Sequence, residues 1–435
     1  MAERVAISDR GRRTPASPIR KLVPLADEAK ARGVKVYHLN IGQPDIETPR
    51  EMIEAYRRFD AKVLSYGPSG GLYDYVAALA GYYTRVCDPG CRAEGAGRTG
   101  SSSSASGGFP AQGAGLGLAV EPRDILVTTG GSEALLFVFD AICDPGDEII
   151  VPEPFYTNYA GFAAMSCVSL VPVTCRADNG FALPPAAEFE AKITPRTRAI
   201  MFSNPGNPTG VVLSPDELAM LRRLALERGL FLIADEVYRE FIYDDTVRHK
   251  SVLALEGLAD RAVMCDSVSK RYSACGARIG CIVSRNRDLM ATVLRFGQAR
   301  LCPPTVDQLA ALAALATPPA YFDAVRAEYR ARRDLLAREL CAMPGVLCQL
   351  PRGAFYTVTR LPVDDSERFA AWLLRDFALD GETVMVAPAA GFYATPGLGR
   401  NEVRIAYVLR TEDLARAMVI LRRALEVYPG RTSGD

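Results

Sequence analysis

In the stretch "SVSKRYSACGARIG", residues 267 to 280, a single lysine, Lys270, stands among small residues, with Ser267 three positions before it and Arg278 eight after it. The hydroxyl and the guanidinium can both grip an anion, which leaves the ammonium beside whatever the anion belongs to. Three other stretches add to this. "TTGGSEALL" puts Gly130, Gly131 and Ser132 between a strand and a helix start, where free backbone N–H groups and the helix dipole favour an anion. "SNPGNPTG" presents Asn207 on a proline-stiffened loop, suited to hold an amide at a fixed angle. "ADEVY" ends an apolar run with Asp235, and Tyr238 three residues on can point the same way. A carboxylate at the mouth of an apolar strand is costly unless paired, so a cationic partner is expected. The four stretches converge on one anionic, aromatic, nitrogen-containing ligand.

The elements that must position these residues follow a regular plan. Apolar runs such as "ILVTT", "DEIIVPEP", "RAIMFS", "LFLIAD", "RAVMCDS" and "ARIGCIVS" alternate with helical stretches such as "SPDELAMLRRLALERG". That pattern predicts an α/β fold with a mostly parallel sheet covered by helices on both faces. In such sheets ligands bind at the carboxyl ends of the strands, where the polar residues named above fall. After residue 318 a long charged helix, "AYFDAVRAEYRARRDLLARELCAM", and the strands "GAFYTVTRL" and "EVRIAYVL" suggest a smaller α+β domain. The expected division is an N-terminal segment, 1–48, joining the small domain, a large ligand-binding domain, 49–318, and the small domain, 319–435. Residues 88–118 are rich in Gly, Ser and Ala with no hydrophobic period, and read as a flexible insertion.

Composition removes several classes of function. The chain has 435 residues, 49% hydrophobic and 23% charged, with 51 basic residues against 51 acidic ones. Without a basic surplus, binding to nucleic acid or to a membrane surface has no electrostatic footing, and a small-molecule substrate is expected. No apolar run reaches the roughly eighteen residues that a membrane helix needs. The opening "MAERVAISDRGRRTPASPIR" lacks the apolar core of a secretory signal, which points to the cytoplasm. Eleven cysteines without a CxxC pair read as reduced thiols, with Cys265, Cys275 and Cys281 buried. Only two histidines, His38 and His249, are present, so neither a histidine metal site nor a Ser-His-Asp triad is expected.

Together, "NPGNPTG", "DEVY" and "SVSKRYSACGARIG" closely resemble the class I/II aminotransferases, the pyridoxal-phosphate enzymes of the aspartate aminotransferase fold. The last of these fits the family pattern S-x-S-K-x5-G-x-R-x-G, and the resemblance spans nearly the whole chain apart from 88–118. It implies that Lys270 forms the Schiff base with the cofactor aldehyde and then moves the substrate's α-proton. Asp235 would pair with the pyridinium nitrogen, and Asn207 and Tyr238 would donate to the ring's phenolic oxygen. Arg278, Ser267 and the amides of Gly131, Ser132 and Glu133 would hold the phosphate. Tyr156 would stack on the ring, and Tyr66 would reach the phosphate of a neighbouring subunit in a homodimer. Arg404 would fork onto the substrate's α-carboxylate, to which Gly42 would offer an N–H.

The resemblance is closest to bacterial aspartate aminotransferases, which implies transfer of an amino group between L-aspartate and 2-oxoglutarate. Aromatic and alanine aminotransferases and C–S lyases share the scaffold. A transcription factor built on the same fold is disfavoured, because the segment before "NIGQPD" has no helix-turn-helix pattern. A nicotinamide dehydrogenase would need a G-x-G-x-x-G after the first strand, which is missing.

Overall fold

The computed structural model describes residues 6–87 and 118–433. The stretch 88–118 therefore lies outside the described residues, except for Leu118, which is buried in the core. A short strand β1 (Lys35–His38) precedes a seven-stranded sheet made of β2 (Ile125–Thr128), β3 (Glu148–Glu153), β4 (Ser169–Thr174), β5 (Thr197–Ser203), β6 (Phe231–Asp235), β7 (Ala262–Ser267) and β8 (Gly280–Val283). Their order is β2-β8-β7-β6-β5-β3-β4. β8 runs antiparallel to β2 and β7, and the other pairs are parallel.

Side-chain alternation explains why helices cover both faces. On β5, Ile200 and Phe202 join one core with the helices Tyr73–Cys87 and Pro215–Arg228. Ala199 and Met201 on the same strand face a second core with the helices Gly130–Ile142 and Arg287–Arg300. Neighbouring Leu232 and Ile233 on β6 are likewise split between the two cores and fully buried. Each such side chain contributes about 1.5–3 kcal/mol of hydrophobic stabilisation. The helix Pro215–Arg228 carries its own boundaries: Ser214 and Glu217 form a reciprocal capping box, and Gly229 closes the end at φ +69°.

A second sheet contains β9 (Leu347–Cys348), β10 (Tyr356–Arg360), β12 (Ala387–Pro388) and β13 (Glu402–Ala406), antiparallel in the order β12-β13-β10-β9. Between them in sequence, β11 (Glu382–Met385) pairs in parallel with β1, tying the N-terminal segment to this part of the chain. A third core gathers Tyr37 and Leu39 with residues of the helices Pro319–Cys341 and Thr411–Val427.

Candidate active site

The carboxyl ends of β2, β5, β6 and β7 open into a cavity of about 590 Å³, closed on its other side by Tyr356 of β10, Arg404 of β13 and the loop after β1. Gly42, Gly131, Ser132, Tyr156, Asn207, Asp235, Tyr238, Ser267, Lys270, Arg278 and Arg404 all line it. Residues scattered over more than 360 positions therefore share one space.

One end is built for an anion. Gly130 turns the chain from β2 into its helix at φ +75°, and a Cβ there would lie 2.2 Å from Nη2 of Arg278. The guanidinium thus rests on a bare α-carbon. Arg278 takes a left-handed conformation, φ +53°, and donates from Nη1 to the carbonyl of Cys275 at 3.1 Å. Gly280, which closes the motif, lies so close to the turn that its own Cβ would meet the Gly130 carbonyl carbon at 2.5 Å. The hydroxyl-bearing Ser267 and Ser269 are buried on the cavity wall beside the N–H groups of Gly131 and Ser132. A helix N-terminus, two hydroxyls and a guanidinium are together donors suited to a phosphate. The side chain of Glu133 turns elsewhere: its carboxylate accepts the Thr129 N–H at 2.7 Å and pairs with Arg300, and it does not line the cavity.

In the middle, Asp235 is 6% exposed and burial raises its pKa to about 6. The cationic partner expected from the sequence is not a side chain. Among the described residues its nearest partners are the Tyr159 hydroxyl, which donates to Oδ2 at 2.6 Å, and the Val237 N–H at 3.4 Å. A buried carboxylate held only by neutral donors still calls for a positive charge from a ligand. Lys270 projects into the same space and donates from Nζ to the carbonyl of Gly42 at 2.9 Å. Gly42 thus presents its oxygen to the lysine, and a Cβ there would strike the Tyr356 hydroxyl at 1.8 Å. Tyr238 and Tyr356 share a hydrogen bond at 2.9 Å. Tyr156, at the cavity wall, accepts from Asn158 Nδ2 at 2.8 Å, and burial pushes its pKa up to about 12.

The far end holds Arg404, 2% exposed. It donates to Asn207 Oδ1 at 3.1 Å and to the carbonyl of Asn40 at 2.5 Å, while its Nε has no hydrogen-bond partner. No carboxylate pairs with it among the described residues, and burial lowers its pKa. An isolated buried guanidinium is a receptor for an anion.

Three predicted positions fall outside the cavity lining: Gly130, which turns the chain beneath Arg278, Glu133, as described, and Tyr66, which is 81% exposed. Cys275, expected to be a buried thiol, instead lines the cavity 3.6 Å from Lys270 Nζ. Cys265 and Cys281 are buried as expected. Sequence reading missed Tyr159, Tyr356, Ser269 and the N-terminal residues Ser17, Ile19 and Arg20, of which all but Tyr159 line the cavity. Ser269 alone carried a signal, as the second serine of the S-x-S-K pattern.

The family model for aminotransferase class I and II matches residues 34–421. The chain belongs to that family. The aspartate/prephenate aminotransferase of Thermus thermophilus is 30% identical over 403 residues, covering 92% of this chain and 93% of that one. The aspartate aminotransferase of Pyrococcus horikoshii is 27% identical over 98% of this chain and 97% of its own. A structure of the Thermus thermophilus aspartate aminotransferase with maleate superimposes with a TM-score of 0.81 at 29% identity, covering 97% of this chain and all of that one. The family's cofactor is pyridoxal 5'-phosphate, and the residues present fit it: a phosphate cradle, a buried carboxylate without a cation, and an ammonium between them. Among the described residues no helix is long and apolar enough to cross a membrane.

Proposed function

We propose that this aminotransferase moves the amino group between L-aspartate and 2-oxoglutarate, both dicarboxylates. One observation carries the reading. Three arginines, Arg278, Arg404 and Arg20, line a cavity whose only acidic residue among the described ones is Asp235. Three guanidiniums suit three anions: the cofactor phosphate, the substrate's α-carboxylate and a second carboxylate. Arg20 is exposed at the cavity mouth, near Tyr156, and no carboxylate pairs with it among the described residues. Its neighbours fix the segment: Ile19 packs on the cluster around Phe392, Leu22 is buried, and Lys21 pairs with Glu367 outside. The maleate in the similar Thermus structure is itself a four-carbon dicarboxylate.

The roles follow from position. Gly131, Ser132, Glu133 (through its amide), Ser267 and Arg278 would hold the cofactor phosphate, Tyr156 would cover the ring, and Asn207 and Tyr238 would bond its oxygen. Asp235 holds the ring nitrogen in its cationic form. Bound there, pyridoxal phosphate supplies an electron sink for the carbon that loses its proton. Lys270, which lines the same cavity as Asp235 and Arg404, would take that proton and return it. Arg404, Asn207 and Gly42 fix the α-carboxylate end. The reading also divides the chain into 1–48, 49–318 and 319–435, and places the enzyme in the cytoplasm as a homodimer. The exposed run Val63, Leu64, Tyr66 and Tyr73, each more than 60% exposed, supports a second copy of the chain covering it, with Tyr66 reaching that copy's phosphate.

The test is the visible absorbance of the cofactor-loaded protein during titration with amino acids. L-Aspartate converting the band at far lower concentration than L-tyrosine or L-alanine supports the proposal. Conversion by tyrosine or alanine first moves the substrate to the aromatic or alanine class. Release of pyruvate from cysteine conjugates without conversion would make the protein a C–S lyase.

A further inference from the structure

At the ends of β6 and β7 alternate residues point to opposite sides. Asp235, Tyr238, Ser267 and Lys270 line the cavity. The residue beside each of them, Glu236, Arg239, Asp266 and Arg271, is at most 4% exposed and lies away from the cavity. These four form one buried cluster of two acids and two arginines. Asp266 sits at its centre. It accepts the Ser267 N–H at 2.7 Å, the Tyr83 hydroxyl at 2.8 Å and the guanidinium of Arg271. Glu236 is held by the Ser251 hydroxyl at 3.0 Å and the Val252 N–H at 2.8 Å. Arg239 lies between the acids, with Nη2 3.3 Å from Asp266 and 3.4 Å from Glu236, its guanidinium 5.1 Å from the centre of the Tyr83 ring.

The strand ladder between β6 and β7 ends at the pair Asp235–Cys265, followed only by the Glu236 N–H to the Cys265 carbonyl at 2.9 Å. Beyond it β6 gives way to the turn that carries Tyr238, whereas β7 continues to Ser267 and passes into the short helix Val268–Arg271 that carries Lys270. Their relative placement decides how the lysine meets a ring whose nitrogen Asp235 holds. We propose that Arg239 is a positioning residue for amino transfer: it joins the end of β6 and the turn after it, bearing Asp235 and Tyr238, to the end of β7 and the helix after it, bearing Ser267 and Lys270. It acts without touching substrate or cofactor. This rests on the reading of Lys270 and Asp235 given above. Nε and Nη1 of Arg239 have no hydrogen-bond partners and Nη2 donates to Met264 Sδ at 3.0 Å, so the bridge to the two acids runs through Nη2 and is ionic.

Misplacement of reacting groups by about 1 Å can cost about 100-fold in rate. The experiment compares Arg239→Met and Arg239→Lys with the unchanged holoenzyme, measuring cofactor content by visible absorbance, and kcat and KM for the amino donor. The expected result for Arg239→Met is full cofactor content, KM within about twofold and kcat lower by roughly 10- to 100-fold. Arg239→Lys, which keeps a charge between the two acids, should recover most of the loss. An unchanged kcat in Arg239→Met, with only a lower melting temperature, overturns the proposal. If Arg239→Met does not fold, Tyr83→Phe decides. It removes one hydrogen bond from Asp266, and a several-fold fall in kcat at constant KM supports the bridge, whereas wild-type kcat overturns it. Turnover by the unchanged enzyme in the same assay tests the underlying reading separately.

Discussion

Arg404 and Arg271 are both almost wholly buried, at 2% and 4% exposed, yet their surroundings are opposite. Arg271 meets the carboxylate of Asp266, and Glu240 stands 3.9 Å from its Nε. Arg404 meets no carboxylate among the described residues: it donates to a backbone carbonyl and the Asn207 side chain and lies 4.6 Å from the centre of the Tyr356 ring and 5.0 Å from that of Phe392. Burying a charge costs several kcal/mol unless an opposite charge repays it. The chain repays that cost at Arg271 and leaves it standing at Arg404. A guanidinium completed by its own chain is scaffold, and one left open to a cavity waits for a ligand. Asp235 repeats the open arrangement with the sign reversed, since burial lifts its pKa and, among the described residues, no cationic side chain pairs with it directly, Lys270 acting only through its charge.

The largest expected effect lies on the closed side. Burial opposes ionisation of Asp266, yet Arg271 and Arg239 outweigh it and hold its pKa below the usual carboxylate value. Asp266→Asn would leave both arginines without their shared anion. A loss of about 3–5 kcal/mol in unfolding free energy is expected from denaturant titration. A loss below about 1 kcal/mol would show that the cluster is not the closed site described.

On the open side the sign reverses. In the cofactor-free protein Asp235 has a folded pKa near 6, above its ordinary value, so it favours folding most when protonated. That contribution is complete below about pH 4, fades as pH rises through 6 and is gone above it. Asp235→Asn should therefore leave cofactor-free stability unchanged near pH 4 and raise it by roughly 3 kcal/mol above pH 7, while weakening cofactor binding. Equal stability of the two proteins across that range would remove Asp235 from the open class. Arg404→Met should change stability by less than about 1 kcal/mol, because two lost hydrogen bonds offset an unpaired charge. Its KM for the amino donor should rise by about 10- to 100-fold, the worth of a charge-assisted pair.

The closed and open sites were unequally legible in the sequence. The cavity residues on β6, β7 and the turn after β2 were readable because an apolar run ends there and a polar residue follows at fixed spacing. The α/β class was readable for the same reason. Tyr356 and Arg20 were not, since each comes from a segment distant in sequence, and Tyr159, three residues after Tyr156, was not because a tyrosine in an apolar stretch reads as core. Cys275 misled because its small neighbours suggest burial, whereas the left-handed turn at Arg278 brings that loop to the cavity. β4 escaped notice because Pro172 interrupts its pattern, which an edge strand tolerates. The reversed direction of β8 left no mark either: its residues read like any buried strand, and only the short link from β7, without a long crossover helix, allows the antiparallel pairing.

The smallest expected effect belongs to Tyr159, whose hydroxyl stabilises the charged form of Asp235 against burial. In Tyr159→Phe the ring still packs against Phe155 and Tyr156, so the core is kept and one donor is lost. The carboxylate then has only the long Val237 N–H contact, and its pKa should move further up. The consequence is a shift to higher pH of the window in which cofactor-free stability falls, by the equivalent of about 0.5–1.5 kcal/mol for one hydrogen bond. Cofactor affinity should weaken by the same amount, roughly 2- to 10-fold, because a carboxylate that ionises less readily meets a cation less well. An unmoved stability–pH curve would mean that Asp235 draws its ionisation from elsewhere, and would narrow the contrast between the open and closed sites to the arginines alone.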